Sequence, residues 1–196
     1  MDAFELIRTR RSTRKFKPDA PDAALISKAV EAGRYAPSGS NSQSAHFIVI
    51  KNKEVLTRLA ELVKDEFAKM ETTPGMYPAM ARAITSSKNG SYVFHYNAPV
   101  LVAIANKKDY TNNLADCVLA AQNIMLMANA LDLGSCYINQ LKWLNENDAV
   151  NEYLSGLGMA PDERVYVAVA LGYADTPDGL PVREPLPRKG NPVTEI

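Results

Sequence analysis

The sequence predicts an α+β domain, on three observations. Apolar runs bounded by turn formers read as buried strands at 46–50, 99–105 and 164–173, with helical periodicity between them. The longest helical stretch, 112–132, is apolar on more than one face (Leu114, Val118, Leu119, Ile124, Leu126, Leu131), so several sides of it need cover. A chain of 196 residues is long enough to bury one proper core, and no linker, repeat or low-complexity segment divides it. Residues 1–196 are therefore expected to form a single domain, with an arm from about residue 174.

In order along the chain, residues 2–8 suggest a short helix with Asp2 as its cap and Phe4 and Ile7 on one side. Pro18 and Pro21 interrupt the chain, and Asp22 then opens a helix to about Tyr35 on a stripe of Leu25, Ile26, Ala29 and Val30. A polar loop follows at 36–43, then the first strand and a helix over 53–70. Between 71 and 90 the periodicity fades around Pro74, Gly75 and Pro78, which predicts an irregular, mobile or substrate-facing segment. Gly134 is expected to close the long helix in the left-handed conformation. A short strand over 135–139 and a helix over 147–157 precede the last strand. Prolines at 177, 181, 185, 187 and 192 exclude helix and inner strand, so the tail should run as an extended arm.

Lys and Arg number 22, as do Asp and Glu, which argues against general binding to nucleic acid or an anionic membrane. The opening residues have no apolar run of signal-peptide type, and the longest apolar run is far too short to span a bilayer. Cys117 and Cys136 make neither a metal spacing nor a disulfide framework. The expectation is a cytoplasmic protein. Neither His46 nor His95 has a catalytic partner nearby in sequence, and Cys136 reads as a buried, inert thiol. Tyr77, Tyr92 and Trp143 fit a pocket wall and core packing equally well.

Against that neutral background, residues 8–17 (Arg-Thr-Arg-Arg-Ser-Thr-Arg-Lys-Phe-Lys) hold six basic residues and no acid. Guanidinium forks and short hydroxyls suit phosphate, and Arg10, Ser12 and Arg14 share one face if the segment is extended. Taken alone, the run also fits a solvated loop or a nucleic-acid arm. The usual phosphate motifs are missing: no G-x-G-x-x-G follows a strand, and there is no Walker loop. Any phosphate must then be held by side chains.

Arg-Arg-Ser-Thr-Arg-Lys-Phe after a short helix resembles the N-terminal signature of the FMN-dependent nitroreductase family. Three further segments are similar to it: Ala36-Pro37-Ser38-Gly39-Ser40-Asn41-Ser42-Gln43, the long helix with its exit through Tyr137-Ile138-Asn139-Gln140, and the closing Pro187-Arg188-Lys189-Gly190. Together they span nearly the whole chain. The family's loop usually continues Pro-Trp, where this chain has Ser44-Ala45.

The resemblance implies a central mixed, mainly antiparallel sheet flanked by helices, in an intertwined homodimer with tightly bound FMN. It implies NAD(P)H as co-substrate and a small-molecule electron acceptor, a nitroaromatic or quinone, served by ping-pong hydride transfer at flavin N5. It also assigns cofactor-binding roles. Arg10, Arg11 and Ser12, with Arg188 and Lys189, surround the phosphate, and Arg14 reaches the ribityl or pyrimidine side. Pro37, Ser38, Asn41 and Gln43 meet the partner's flavin, and the backbone of Tyr137, Ile138, Asn139 and Gln140 lies along the ring. No side chain is assigned as acid or base. The same residues would also serve a flavin-binding sensor or store with little turnover.

Overall fold

Alternating side chains in four strands build the centre of the molecule. In the computed structural model, which describes residues 2–196, β1 (His46–Ile50), β2 (Val100–Lys107), β3 (Gly134–Ile138) and β4 (Glu163–Gly172) form one sheet in the order β1-β2-β4-β3. Along β2, Leu101, Ala103 and Ala105 enter the core on one face, and Val100, Val102 and Ile104 enter it on the other. Because helices cover both faces, β2 is apolar almost throughout rather than alternating with polar residues. A bulge opposite Ile104 and Ala105 puts Tyr166 and Val167 of β4 on the same face, after which alternation resumes.

The face bearing Leu101 is covered by α3 (Lys53–Ala68), α4 (Pro78–Lys88), the short α6 (Gln140–Trp143) and α7 (Asp148–Gly156). The opposite face carries α2 (Ala23–Arg34) and α5 (Asn113–Ala130). The opening helix α1 (Ala3–Thr9) lies against α5, with Asp2 Oδ1 accepting from Glu5 N at 2.8 Å as expected of its cap. Among the described residues no helix is long and apolar enough to cross a membrane.

Three expectations need correction. The sheet is antiparallel at each of its three strand pairings rather than mixed. β2 and β3 point the same way, but β4 enters between them and pairs antiparallel with both. Among the described residues the one parallel pairing is an isolated bridge from Ser12 to Ser135. Residues 78–88 are helix, not irregular: Pro78 occupies the first turn of α4, where its missing N–H costs nothing, and starts the helix instead of breaking it. The left-handed residue after α5 is Asp132 (φ 61°), with Leu133 N donating to Ala128 O at 2.8 Å in a Schellman closure.

Gly134 has another reason to be glycine. A Cβ there would lie 2.8 Å from the Thr13 side chain, where the basic segment crosses the sheet. Gly134→Ala is therefore expected to destabilise the fold by about 1–3 kcal/mol, the usual range for overpacking. Urea unfolding checks this, and an unchanged midpoint would mean the Thr13 contact relaxes freely.

Candidate functional site

The basic segment takes its position from α1 and β3. Asn129 of α5, nearly fully buried, donates from Nδ2 to Leu6 O and to Thr9 Oγ1, each at 3.1 Å, and so fixes the end of α1. The chain is then extended. Thr13 N donates to Ser135 O at 2.9 Å, Lys17 N donates to Tyr173 O at 3.0 Å, and Asp175 N donates to Lys15 O at 3.0 Å. Residues 12–17 thus tie the start of β3 to the end of β4. The predicted period of two places both Arg10 and Arg14 within electrostatic reach of Cys136. Burial still dominates at that thiol and raises its pKa, against Arg14, the Ser12 hydroxyl and Arg10 in that order, so Cys136 stays protonated.

The arm returns to the same place. Arg183 donates to Asn129 Oδ1 at 3.2 Å and to the Asn129 carbonyl, and pairs with Asp132 at 2.6 Å. Arg11 donates to the carbonyl of Glu184. With the arm held there, Arg188 comes close enough to act on Arg10. Burial is the main influence lowering the Arg10 pKa; Cys136 pulls it back up, and Arg188 and Arg11 push it down further. Arginine keeps its charge through such shifts. Among the described residues no carboxylate pairs with Arg10, Arg11, Arg14, Arg188 or Lys189. Arg14 instead lies over the Tyr96 ring, 5.9 Å from its centre. Lys189 is exposed near the chain end.

Beside this cluster, Tyr137 and Ile138 pair with Val169 and Ala168 across the sheet, and Asn139 and Gln140 turn directly into α6. Gln140 Nε2 donates to the Tyr92 hydroxyl. Burial, only partly offset by that bond, pushes the Tyr92 pKa up to about 12. Phe67 packs edge-on against both Tyr92 and Trp143, and Tyr77 against Trp143, so this aromatic group backs α6.

The polar loop is elsewhere. Its 3-10 turn (Gly39–Asn41) is pinned to the start of α5: Gly39 N donates to the Asp116 carboxylate, and Tyr110 Oη donates to Asp116 at 3.0 Å or to Gly39 O at 3.1 Å. A side chain on Gly39 would collide with Asn112 and Tyr110. Ser40, Asn41 and Gln43 all have positive φ without being glycine, the last two linked by Gln43 Nε2 donating to Asn41 Oδ1 at 3.1 Å. Conformations this rare cluster where a loop is held for a purpose. Pro37, Asn41 and Gln43 are exposed, Ser38 is half-buried, and all four line a cleft of about 500 Å³ with Tyr35, Phe47 and Ala120.

Within one chain the structure therefore brings Arg10, Ser12, Arg14 and Arg188 together, with Tyr137–Gln140 nearby, and leaves the loop apart. The loop sits at Asp116 and the basic segment at Asn129, opposite ends of α5 and roughly 20 Å apart at helical rise. Sequence reasoning missed the pinning pair Tyr110 and Asp116, although a lone buried carboxylate on an apolar helix was a visible signal. It also missed Arg183, which nothing distinguished from its neighbours in the tail. No group of His, Cys, Asp and Glu among the described residues could hold a metal ion.

Known proteins match this arrangement. The FMN-bound nitroreductase of Bacteroides fragilis superposes with a TM-score of 0.87 at 31% identity, covering 100% of both chains. A protein of Archaeoglobus fulgidus named "Putative NADH dehydrogenase/NAD(P)H nitroreductase" is 28% identical over 172 residues, 88% of this chain and 85% of its own length. A relative of the same name in Methanothermobacter thermautotrophicus is 29% identical over 141 residues; the match spans 70% of this chain but only 60% of that protein. The description "Nitroreductase family" matches residues 7–173, which take in the basic segment, the polar loop and the exit from α5. The chain belongs to the nitroreductase family.

Proposed function

We propose that this chain is an FMN-dependent NAD(P)H oxidoreductase that reduces nitroaromatics, quinones or related acceptors, and that it works as a homodimer. The observation carrying this reading is the cation cluster: Arg10 and Arg188 approach each other from opposite ends of the chain with no carboxylate between them among the described residues. Like charges gathered at a half-buried place suit a dianionic phosphate. Arg10 and Ser12, with Arg11, Arg188 and Lys189, hold that end of the cofactor, and Arg14 faces its ribityl or pyrimidine side. Backbone N–H groups at Ile138, Asn139 and Gln140 supply uncharged donors for the ring without adding a titrating group. When bound, FMN supplies the hydride chemistry, in ping-pong order with the nicotinamide first and the acceptor second. The Bacteroides relative, whose structure holds FMN, supports this choice of cofactor.

The loop fits only in trans. Pro37, Ser38, Asn41 and Gln43 are too far from their own chain's cations to share one flavin with them, so they serve the partner's. Phe4, Ile7, Tyr35 and Leu119 are exposed apolar residues on the α1, α2 and α5 side, and a second copy covers them. The buried, unpaired thiols of Cys117 and Cys136 fit a reducing cytosol. Light scattering on active, FMN-loaded protein should give twice the chain mass, with an interface above about 2,000 Å² in total. A monomeric mass refutes the dimer. Steady NAD(P)H oxidation with menadione tests the activity, and a flavin-loaded protein without turnover overturns it.

A further inference from the structure

A second cleft, of about 460 Å³, opens between α3 and the segment leading into β2. That volume is within the roughly 300–1,000 Å³ usual for small-molecule pockets. Its Lys51 end lies away from the cation cluster, and its Tyr92 end reaches Gln140. Ile50, Leu101, Ala170 and Cys136 stand in one row across the sheet, and Lys51 lines the cleft just past the Ile50 end. Three strand spacings, about 14 Å, separate that end from Cys136.

Three features of the cleft point to a ligand. Leu56, Ala60 and Val93 give it an apolar wall. Its mouth is cationic: Lys51 and Lys53 form no ion pair among the described residues, Lys64 has only Asp65 at 3.9 Å, and the one lining carboxylate, Glu61, is turned to Arg58 at 3.5 Å. In its wall His95 is 4% exposed, and its Nδ1 has no hydrogen-bond partner. A buried polar atom left unpaired is costly and calls for an explanation. Burial lowers the His95 pKa; the carbonyls of Ala98 and of His95 itself pull it back, although neither is in hydrogen-bond geometry with Nδ1. The ring is therefore neutral and can both donate and accept.

We propose that this cleft is a second small-molecule site for an apolar or aromatic monocarboxylate. The ligand's body lies on Leu56, Ala60 and Val93, and its carboxylate meets Lys51 and Lys53 at one end of the α3 wall, with His95 as the neutral donor beside it.

Titrating FMN-loaded protein with 4-phenylbutyrate tests this. Expected is one ligand per chain with the flavin absorbance unchanged, and at least about tenfold weaker binding both for 4-phenylbutyramide and in the Lys51→Gln/Lys53→Gln variant, as for loss of the charged contacts. Thr57→Trp, on an exposed position of α3 at the cleft, should abolish binding while the protein keeps its FMN. His95→Phe should weaken binding with little change in fold stability. No binding overturns the proposal, as does equal affinity for acid and amide, binding that survives Thr57→Trp, or displacement of FMN by the probe.

Discussion

Arg10→Ala is expected to weaken FMN binding by about 1.5–3 kcal/mol, the range for a hydrogen bond to a charged group. At 1.4 kcal/mol per factor of ten that is roughly 10- to 150-fold in Kd. Arg10 is half-buried, feels Arg188, and has no carboxylate partner among the described residues, so a bound anion is what its charge would meet. Arg8 is the internal control. It is only two positions away and carries the same charge, but it is paired with Glu5 at 2.5 Å on the surface of α1. Arg8→Ala should therefore leave flavin affinity within about twofold, as expected of an exposed pair. Titration of both apo variants with FMN, followed by flavin fluorescence, makes the comparison. If the two substitutions cost the same, only the general positive field attracts the cofactor, and the placement of Arg10 at the phosphate is wrong.

At FMN concentrations too low to load Arg10→Ala, complementation between two inactive variants should restore activity. Arg10→Ala damages the cation cluster, and Asn41→Ala/Gln43→Ala damages the loop at the far end of α5. If each flavin is held by the cluster of one chain and the loop of the other, a mixed dimer collects both lesions in one site and leaves the other intact. Refolding equal amounts together makes about half the dimers mixed, so roughly a quarter of all sites recover under two-fold statistics. Pinning by Asp116 and Tyr110 limits how far the loop can move toward its own chain's cations, so rescue within one chain is not expected. Null rescue, with mixed dimers confirmed by mass, would falsify the trans arrangement.

How far the sequence could be read followed the range of the interactions involved. β1 was legible to the residue, because His46 leads a four-residue apolar run, 47–50, that Lys51 closes. The caps at Asp2 and Asn147 act within three residues, and the first was foreseen. The strand order was not legible: whether β4 enters between β2 and β3 depends on contacts across the whole domain. Pro78 was misread because proline both ends helices and starts them, and only the turns after it decide which. Gly134 was assigned a left-handed turn, whereas Asp132 makes that turn and Gly134 clears space for Thr13. At the site, the cations declared themselves by local density in a neutral chain. The loop's support did not, since Gly39 meets Asp116 across 77 residues of sequence.

Holding Arg11 against Glu184 joins positions 173 residues apart, and Arg183 is tied to the same Asn129 that holds α1. Synthesis runs from the N-terminus, so the first cations emerge long before the residues that come to lie beside them. During translation the nascent chain exposes a basic opening segment without the arm that later lies beside it. The cluster can be completed only once residues 183–188 have been made. A chain lacking residues 183–188 would therefore have neither the Arg183 tie to Asn129 nor Arg188 beside Arg10.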